Sequence, residues 1–406
     1  MEIQLQPKLR FHEFNGDWKS YRLGSISHII TGSTPSTSNR TYYGGEYLFV
    51  SPYDINENKY VTQTKTTLTK KGFDKCRKVS GGSIAFVCIG STIGKLAIVP
   101  IDYTTNQQIN SLTAFDDFSN DFIYYSLEKR QNIIKMIAGT QAVPLINKTD
   151  FSNIKVYTTS LPEQQKIADY LTTIDKKIEL LEEKKTELSR YKKAMMQKLF
   201  TQEIRFKDEN GNDYPEWEEK RLGEIFIEIK DKVGNKKIAT YSISAGKGFI
   251  SQEEKFGRDI SGKQNANYII LNKGDLSYNK GNSKTYTYGC VYLSNFDYQI
   301  SVPNVFISFR PLNVSEVSTN FYAKLFENHY LDRDLRKLVS SSARMDGLLN
   351  ISKDGFFKIK LPFPNYHEQQ KIADFLSAID ESITKVEQQI KETQNFKKAM
   401  LQQMFV

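Results

Sequence analysis

A nine-residue motif occurs twice in this chain of 406 residues, and it constrains the fold more than any other feature. The segment EQQKIADYL at 163–171 returns as EQQKIADFL at 368–376, an offset of 205 positions. A second match, YKKAM at 191–195 and FKKAM at 396–400, keeps the same offset. The chain therefore consists of two halves, each with a body of its own followed by a repeated segment.

Weaker matches mark the start of each half. Arg10-Phe11 corresponds to Arg205-Phe206. Trp18 with RLG at 22–24 corresponds to Trp217 with RLG at 221–223. The bodies that follow, near 17–160 and 216–362, have unlike sequences, so each half consists of a lead-in, a variable body and a repeated segment. The predicted parts are 1–160, 161–200, 201–362 and 363–406.

The repeated segments are predicted to be long helices. Their apolar residues recur in steps of three, four and seven, which is typical of a heptad seam. Lys185 and Lys192 fill gaps in the first seam, and Thr393 and Lys397 fill gaps in the second. Helices over 162–200 and 366–405 would each be about 60 Å long at 1.5 Å per residue. The residues expected to pair the helices are Ile167, Leu171, Ile174, Ile178, Leu181, Ile372, Leu376, Ile379, Ile383 and Val386.

A helix of this length with a narrow apolar seam needs another helix to cover the seam. The favoured partner is the other copy in the same chain, packed antiparallel, which would relate the two bodies by a pseudo-twofold axis. Packing against the body of the same half, or homodimerisation, are the alternatives. The predicted fold class is α/β (α+β) for two domains, alternating with two long α-helices that form an antiparallel coiled coil.

The two bodies show the same order of predicted elements, although their residues differ. In each, three apolar strand-like runs precede a helical pattern. The same fold with diverged surfaces is therefore expected in both bodies. The predicted strands are 47–50, 83–89 and 95–99 in the first body and 268–271, 289–293 and 305–309 in the second, followed by helices at 121–136 and 321–339.

The charge balance favours a polyanionic partner. Lysine and arginine number 56 against 47 acids, a net charge of +9. Basic residues crowd the predicted loops, as at 59–78, where Asp74 is the one acid, and tyrosines lie among them. Such loops suit contacts to phosphates and base edges. A solvated lysine-rich surface explains the same composition, so the bodies alone leave both interpretations open.

No motif for catalysis or metal binding is evident. Cys76, Cys88 and Cys290 lie far apart and the four histidines are isolated, which argues against zinc or a disulfide framework and favours a reducing compartment. The run GSTIGKL at 90–96 has one residue too few between its glycines for a phosphate-binding loop and ends in Leu96 instead of Ser or Thr. A turn between two strands is the better interpretation of this run.

Two further motifs also have a structural explanation. Ser51-Pro52-Tyr53 lacks the second proline of an amino-methyltransferase signature. Glu218-Glu219-Lys220 superficially resembles a nuclease motif, but it continues into the repeated RLG and is therefore better explained as part of the repeat. At the N-terminus no cationic segment precedes an apolar one, so no signal peptide is expected. The most apolar stretch, 83–101, is interrupted by polar residues and is predicted to form buried strands instead of a membrane span.

Two unlike bodies alternating with two near-identical helices that carry EQQKIAD resemble the specificity subunit of type I restriction–modification systems. The resemblance covers essentially the whole chain, and its most specific parts are 162–171 and 367–376. TGSTP at 31–35 supports it in the first body. The second body departs from this pattern, because KDKVG follows Ile229 there.

The resemblance implies a function. Each body would be a target recognition domain that reads one half of a bipartite, asymmetric DNA site, and the paired helices would set the unread spacer. Two modification subunits would dock on the helices and methylate adenine with S-adenosylmethionine. Two restriction subunits would add translocation and cleavage with ATP and Mg²⁺. The chain itself would bind no cofactor, catalyse nothing and be cytoplasmic.

Loop residues with hydroxyl, amide, aromatic or basic side chains are the candidate DNA readers. A fused restriction–modification enzyme, or a helical scaffold that binds only protein, are the competing hypotheses; the enzyme would need methyltransferase motifs that are lacking here. The candidates in the first body are Ser33, Thr34, Ser36, Arg40, Tyr42, Ser91, Thr92, Lys95 and Gln141. Those in the second are Lys232, Asn279, Lys280, Asn282, Ser283, Lys284, Tyr286 and Arg344.

Overall fold

The computed structural model describes residues 6–56, 58–138, 144–252, 254, 262–281, 283–339 and 349–406. They form two compact units, one of 1–184 with 386–406 and one of 185–385. Each unit thus contains one body, the first half of one long helix and the second half of the other. The predicted four-part division concerns segments of the sequence and stays a prediction.

The described part of the first body contains nine strands and four short or medium helices. The strands are β1 (Lys19–Arg22), β2 (Ser27–Thr31), β3 (Tyr43–Val50), β4 (Thr67–Leu68), β5 (Ser83–Val87), β6 (Leu96–Val99), β7 (Tyr103–Thr105), β8 (Ile109–Ala114) and β9 (Lys155–Thr158). The helices are α1 (Leu23–Ile26), α2 (Lys70–Phe73), α3 (Asn120–Ile137) and α4 (Lys148–Ser152), with a 3-10 turn at Arg40–Tyr42. The long helix α5 (Leu161–Phe200) follows.

The second body has a closely similar series of elements. Its strands are β10 (Glu218–Arg221), β11 (Phe226–Glu228), β12 (Ala239–Ser244), β13 (Gly248–Ser251), β14 (Ile269–Leu271), β15 (Leu276–Asn279), β16 (Cys290–Leu293), β17 (Ile300–Val302), β18 (Ile307–Pro311) and β19 (Lys360–Phe363). Its helices are α6 (Leu222–Ile225), α7 (Thr319–Glu327), α8 (Asp332–Leu338) and α9 (Lys353–Phe357), with a 3-10 helix at Gly262–Asn267. The long helix α10 (Tyr366–Met404) follows.

The sheets confirm that the two bodies share one fold. The main sheet has the order β2-β8-β5-β6 in the first body and β11-β18-β15-β16 in the second, antiparallel throughout. A smaller sheet contains one parallel pair in each, β3 with β7 and β12 with β17. The entering strand pairs with the strand that leads to the long helix, β1 with β9 and β10 with β19.

All six predicted strands overlap observed ones, and the helix predicted at 121–136 is α3. The helix predicted at 321–339 is wrong as one element. It is two helices, α7 and α8, because His329 between them takes a positive φ of 58°, which a continuing α-helix does not allow. The run at 90–96 is the turn between β5 and β6, as predicted.

The repeated motif starts each long helix and ties it to its body. Glu163 is 1% exposed and accepts two hydrogen bonds from Arg10, both of 2.7 Å. Gln164, fully buried, accepts a 2.9 Å bond from the backbone of Ser119, the residue that caps α3. A buried carboxylate needs such a partner, because an unpaired charge away from water is costly. This contact explains why an arginine is present in the lead-in of both halves, at Arg10 and at Arg205.

The second unit repeats these contacts. Arg205 donates bonds of 3.0 and 2.9 Å to Glu368, and Trp217 adds a bond of 2.9 Å to the same carboxylate. Gln369 accepts 2.9 Å from the backbone of Ser318, which caps α7. The EQQ motif is therefore the joint between a body and its long helix in both units.

Each unit packs the beginning of one long helix with the end of the other. In the first unit the buried cluster joins Ile167, Leu171 and Ile174 of α5 with Met400 and Met404 of α10. In the second, Ile372, Leu376 and Ile379 of α10 join Met196 and Leu199 of α5. Intramolecular, antiparallel packing of the two helices is thus confirmed within each unit. Of the other residues predicted to pair the helices, Val386 is buried, and Ile178, Leu181 and Ile383 are half-buried.

Within the described ranges, no helix combines the length and the apolar composition that crossing a bilayer requires.

Candidate nucleic-acid interface

One edge of the main sheet gathers the variable loops in the first body. β2 and β5 end there, while β6 and β8 begin there, as the pairs Thr31–Asn110, Val87–Ile109 and Phe86–Leu96 show. Successive antiparallel strands bring their connecting loops to the same edge. The loops 32–42, 88–95 and 106–108 therefore meet, and we name them the first edge loops.

Ser33 and Thr34 are fixed in these loops by hydrogen bonds. The Ser33 backbone donates 2.8 Å to Thr105, and its hydroxyl accepts 2.9 Å from the backbone of Arg77. Thr34 donates 2.7 Å to Gln107, which sequence reasoning missed. Gly32 is needed here, because a Cβ at that position would lie 2.1 Å from the Asn106 carbonyl. Polar side chains at this edge are thus held on a rigid backbone.

The turn at 90–95 supplies a second set of polar groups. Gly90 and Gly94 have φ of +99° and +90°, a left-handed conformation that glycine adopts without strain. Between them Ser91 is exposed and Thr92 half-buried. Lys95 donates 3.2 Å to the carbonyl of Ile55, which directs its amino group toward the segment 52–56.

An open groove runs beside this turn. Thr92 and Lys95 line one side, and Pro52, Tyr53 and Asn56 line the other. Tyr53 is 72% exposed, and the amino group of Lys65 lies 4.9 Å from its ring centre. An exposed aromatic ring beside amines is suited to stacking and to phosphate contact. In the sequence, Tyr53 stands out only as one of several aromatic residues in a polar loop.

Ser36, Arg40 and Tyr42 lie farther along the same loop. Ser36 bonds Ser38 at 2.8 Å, and Arg40 begins the 3-10 turn with an exposed side chain. Tyr42 is half-buried, and its carbonyl accepts from Thr69 at 2.9 Å. The structure thus brings Ser33, Thr34, Ser91, Thr92 and Lys95 to one edge and leaves Ser36, Arg40 and Tyr42 beside it. Gln141 lies outside the described residues.

The basic run at 59–78 is less uniform than the sequence indicated. Lys65, Lys71 and Lys75 are exposed. Lys70 and Lys78 are 2.7 and 2.6 Å from Asp74, which also lowers the pKa of that carboxyl through these hydrogen bonds. Lys59 faces inward with 3% of its side chain exposed and pairs with Asp121 at 2.5 Å. Its role is structural, which corrects its assignment to the basic loop surface.

The second body presents the equivalent edge, where β11 and β15 end and β16 and β18 begin. Its loops around 229–238 and 280–289 are the second edge loops. Lys232 and Lys284 are exposed in them. Their sequences have no counterpart of TGSTP, so the chemistry at this edge differs from that of the first edge loops.

Several predicted readers of the second body are occupied by structural bonds. Asn279 donates 3.0 Å to the Ile243 carbonyl and accepts 2.9 Å from Gly281. Lys280 donates 3.1 Å to the Ile351 carbonyl. The hydroxyl of Ser283 accepts 3.0 Å from the backbone of Tyr286, whose ring stacks on His329 at 4.9 Å. Asn282 and Arg344 lie outside the described residues.

The thiols show no sign of reactivity. All three cysteines are buried and unpaired. Burial raises the pKa of Cys88 to about 12 and that of Cys290 to about 11. A thiol with so high a pKa stays protonated at neutral pH and is a poor nucleophile. Across the part of the chain that is described, no three histidine, cysteine or carboxylate side chains come together as a metal site.

The sequence of this chain is similar to those of known specificity subunits. A family model described as type I restriction modification DNA specificity domain matches residues 15–190 and again 214–393. The MjaIX type I restriction enzyme specificity subunit of Methanocaldococcus jannaschii is 28% identical over 52% of this chain. That alignment spans 51%, about half, of the relative's own length.

Two longer matches cover nearly the whole chain. The MjaVIII type I restriction enzyme specificity subunit of Methanocaldococcus jannaschii is 24% identical over 94% of this chain and 91% of its own. The crystal structure of a type I restriction-modification system S subunit from M. genitalium superposes with a TM-score of 0.61 at 17% identity, covering 99% of both chains. At that identity the superposition supports the fold alone.

Proposed function

Because this chain belongs to the type I restriction modification DNA specificity family, we propose that it is the DNA-reading subunit of a type I restriction–modification complex. It selects the sequence that partner subunits methylate or restrict, and it carries out no chemical step itself. The buried thiols, with their raised pKa values, are poor candidates for a nucleophile.

One observation carries the proposal: two bodies of the same topology present unlike loops at the same sheet edge. A common fold gives both bodies the same way of presenting an edge to a duplex. Unlike polar groups at that edge give each a different preference among base pairs, because side-chain donors and acceptors distinguish bases in the major groove. The chain therefore reads two different half-sites, separated by bases that it does not read.

Within each edge we assign readers from exposure and bonding. Thr92 and Lys95 of the first edge loops line the open groove, and Ser91 is exposed on the same turn. Lys232 and Lys284 are exposed cations of the second edge loops, and Lys230, Lys236 and Lys237 beside them are exposed as well. Asn279 and Ser283 shape their loop, because Asn279 bonds to Gly281 and to the Ile243 carbonyl of β12 and Ser283 bonds to Tyr286.

The partners follow from the duplicated part of the chain. Because the repeated helices are alike while the bodies are not, a partner that binds one helix copy also binds the other. We propose that two modification subunits dock there and supply S-adenosylmethionine-dependent adenine methylation. Two restriction subunits, which use ATP and Mg²⁺, complete the complex.

The experiment is to express the chain with a modification subunit in a host without other adenine methylases and to sequence the methylome. The expected motif is bipartite, with two short half-sites and a spacer of one length. Thr92→Ala should relax one position of one half-site, at a cost of about 1–3 kcal/mol for a lost base contact. Lys284→Ala is the matched variant and should affect only the other half-site or the overall level.

Two outcomes would contradict the proposal. One is a wild-type methylome without a bipartite motif. The other is a pair of variants that both alter the same half-site, since the edges belong to different bodies.

A further inference from the structure

A lysine lies between two carboxylates where the body and both long helices meet in the first unit. The amino group of Lys397 on α10 is 2.8 Å from Glu128 of α3 and 2.7 Å from Asp175 of α5. The lysine side chain is 13% exposed, and the acids are 22% and 17% exposed. Three elements thus contribute one charged group each to a partly buried cluster, which we name the first triad.

The second unit contains the same arrangement. Lys192 of α5 is 2.6 Å from Asp380 of α10 and also pairs with Glu327 of α7. Its side chain is 12% exposed. Lys324 of α7 pairs with Asp380 as well. We name the set Lys192, Asp380 and Glu327 the second triad.

The two triads correspond position by position. The lysines and the aspartates are each 205 residues apart, as in the rest of the repeat. Glu128 and Glu327 each stand nine residues after the serine that caps their helix. This third repeat is hidden in the sequence because the bodies around it have diverged. A contact that reappears in both units despite that divergence has a role that the unlike half-sites do not change.

If stability alone mattered, apolar residues would be expected at the positions of the triads. Lys192 and Lys397 occupy gaps in the apolar seams, where a lysine lowers stability but specifies the register of the helices. Burial raises the pKa of Glu128, although Lys397 opposes that effect. Among the described residues its Oε2 atom is buried without a hydrogen-bond partner. Charged groups in such surroundings favour one arrangement over others more than they add stability.

The geometry also couples the body to both helices at once. The Tyr125 hydroxyl on α3 donates 2.6 Å to Asp175, so the same aspartate holds the body helix and Lys397. Sliding one long helix past the other by one turn would move its lysine by about 5.4 Å. That displacement exceeds the reach of an ion pair and would strand the carboxylates of α3 and α5. The body is therefore fully seated only when the two helices are in this register.

We propose that the two triads are positioning groups, which hold each recognition body at one place on the helix pair and thereby restrict the protein to a single spacer length. This inference rests on the proposed function. It assigns spacer fidelity to Lys397, Asp175 and Glu128 in one unit and to Lys192, Asp380 and Glu327 in the other.

The test uses the full chain co-expressed with a modification subunit, and methylome sequencing as the readout. Lys397→Met and Lys192→Met each remove the lysine of one triad while keeping an apolar stem in the seam, and in the second unit Lys324 stays paired with both acids. We expect methylation to appear at sites whose spacer is one base pair longer or shorter, with both half-sites unchanged. Lys398→Met, at the exposed neighbouring position, is the matched control and should keep the single spacer.

A charge-conserving change provides a second test if a methionine variant does not fold. Lys397→Arg keeps a base between Glu128 and Asp175. It should keep the single spacer, whereas Lys397→Gln should not. Uniformly lower methylation at an unchanged spacer in every triad variant would overturn the proposal, because it would show a contribution to stability only. Spacer relaxation in Lys398→Met would overturn it as well.

Failure of the proposed function would look different. In that case the wild-type chain itself would give no bipartite motif. A wild-type chain with a bipartite motif and triad variants with an unchanged spacer would overturn the triads alone.

Discussion

The residues most visible in the sequence, those of the repeated EQQ motif, are structural. Glu163 and Glu368 are almost fully buried and each is held by one arginine of the lead-in. A buried, charged, hydrogen-bonded motif is often taken for an active site. Here the two glutamates bond to arginine, to the Thr159 hydroxyl and to Trp217. The glutamines that follow them, Gln164 and Gln369, bond to backbone groups. The identity of the motif in both halves follows from the identical joint that it forms.

The arginine of this joint should matter for stability. Arg10→Met leaves Glu163 as an unpaired buried charge, so the free energy of unfolding should fall by roughly 3–5 kcal/mol. Urea denaturation followed by circular dichroism measures this loss. Arg205→Met should behave similarly in the second unit, and Arg22→Met, at an exposed position, should change the value by less than about 0.5 kcal/mol. An Arg10→Met protein as stable as the wild type would show that Glu163 is solvated or otherwise paired.

At the scale of single elements, the long helices have both a buried and an exposed repeated face. The buried face contains the seam and the triads. The exposed face contains Tyr191 and Phe396, which are 205 residues apart and 48% and 47% exposed. An aromatic side chain left half in water at the same place in both copies is a good anchor for a partner, because aromatic residues dominate binding energy at interfaces.

Removal of these aromatic groups should weaken docking without altering base reading. If two modification subunits dock on the helices as proposed, Tyr191→Ala or Phe396→Ala should lose one of them in pull-down with a tagged modification subunit, and the double variant should lose both. Each truncation should cost at least about 1–2 kcal/mol if the ring is a hot spot. Val314→Ala, 74% exposed in the second body, is the control. Full occupancy by the double variant would place docking elsewhere.

At the scale of the whole molecule, each long helix contributes to both compact units. The helix segments that connect the two triads are residues 175–192 in α5 and 380–397 in α10. If the chain reads a bipartite site, this length sets how far apart the half-sites are. A change in the helices should then alter the spacer without altering the bases that are read.

Insertion of one heptad after Leu181 together with one after Ile390 lengthens both helices and keeps the apolar seam in phase. At 1.5 Å per residue the added length is about 10 Å, so the spacer should grow by about three base pairs at 3.4 Å each. Methylome sequencing should find the original half-sites at the new separation. Insertion after Leu181 alone should abolish methylation, because the apolar contacts of α5 with α10 can then form in only one of the two units. Altered half-sites with the old spacer would refute the role of the helices.

The sequence by itself determined the helices, the duplication and the element order of both bodies. These features are expressed locally, as heptad spacing, as a repeat at a fixed offset and as short apolar runs bounded by turns. The helix predicted at 321–339 was wrong because its apolar pattern continues through His329, where only the backbone conformation reveals the break.

Only the tertiary structure decided which polar residues are exposed at the candidate DNA-binding edges and which form bonds inside the protein. Lys59, Asn279 and Ser283 look like surface groups in the sequence, yet Lys59 is itself buried and pairs with Asp121, and Asn279 and Ser283 bond to backbone groups. The triads join residues up to 269 positions apart. Whether a charged side chain reads a base or holds a helix depends on such distant neighbours, and the spacing of residues along the chain does not contain that information.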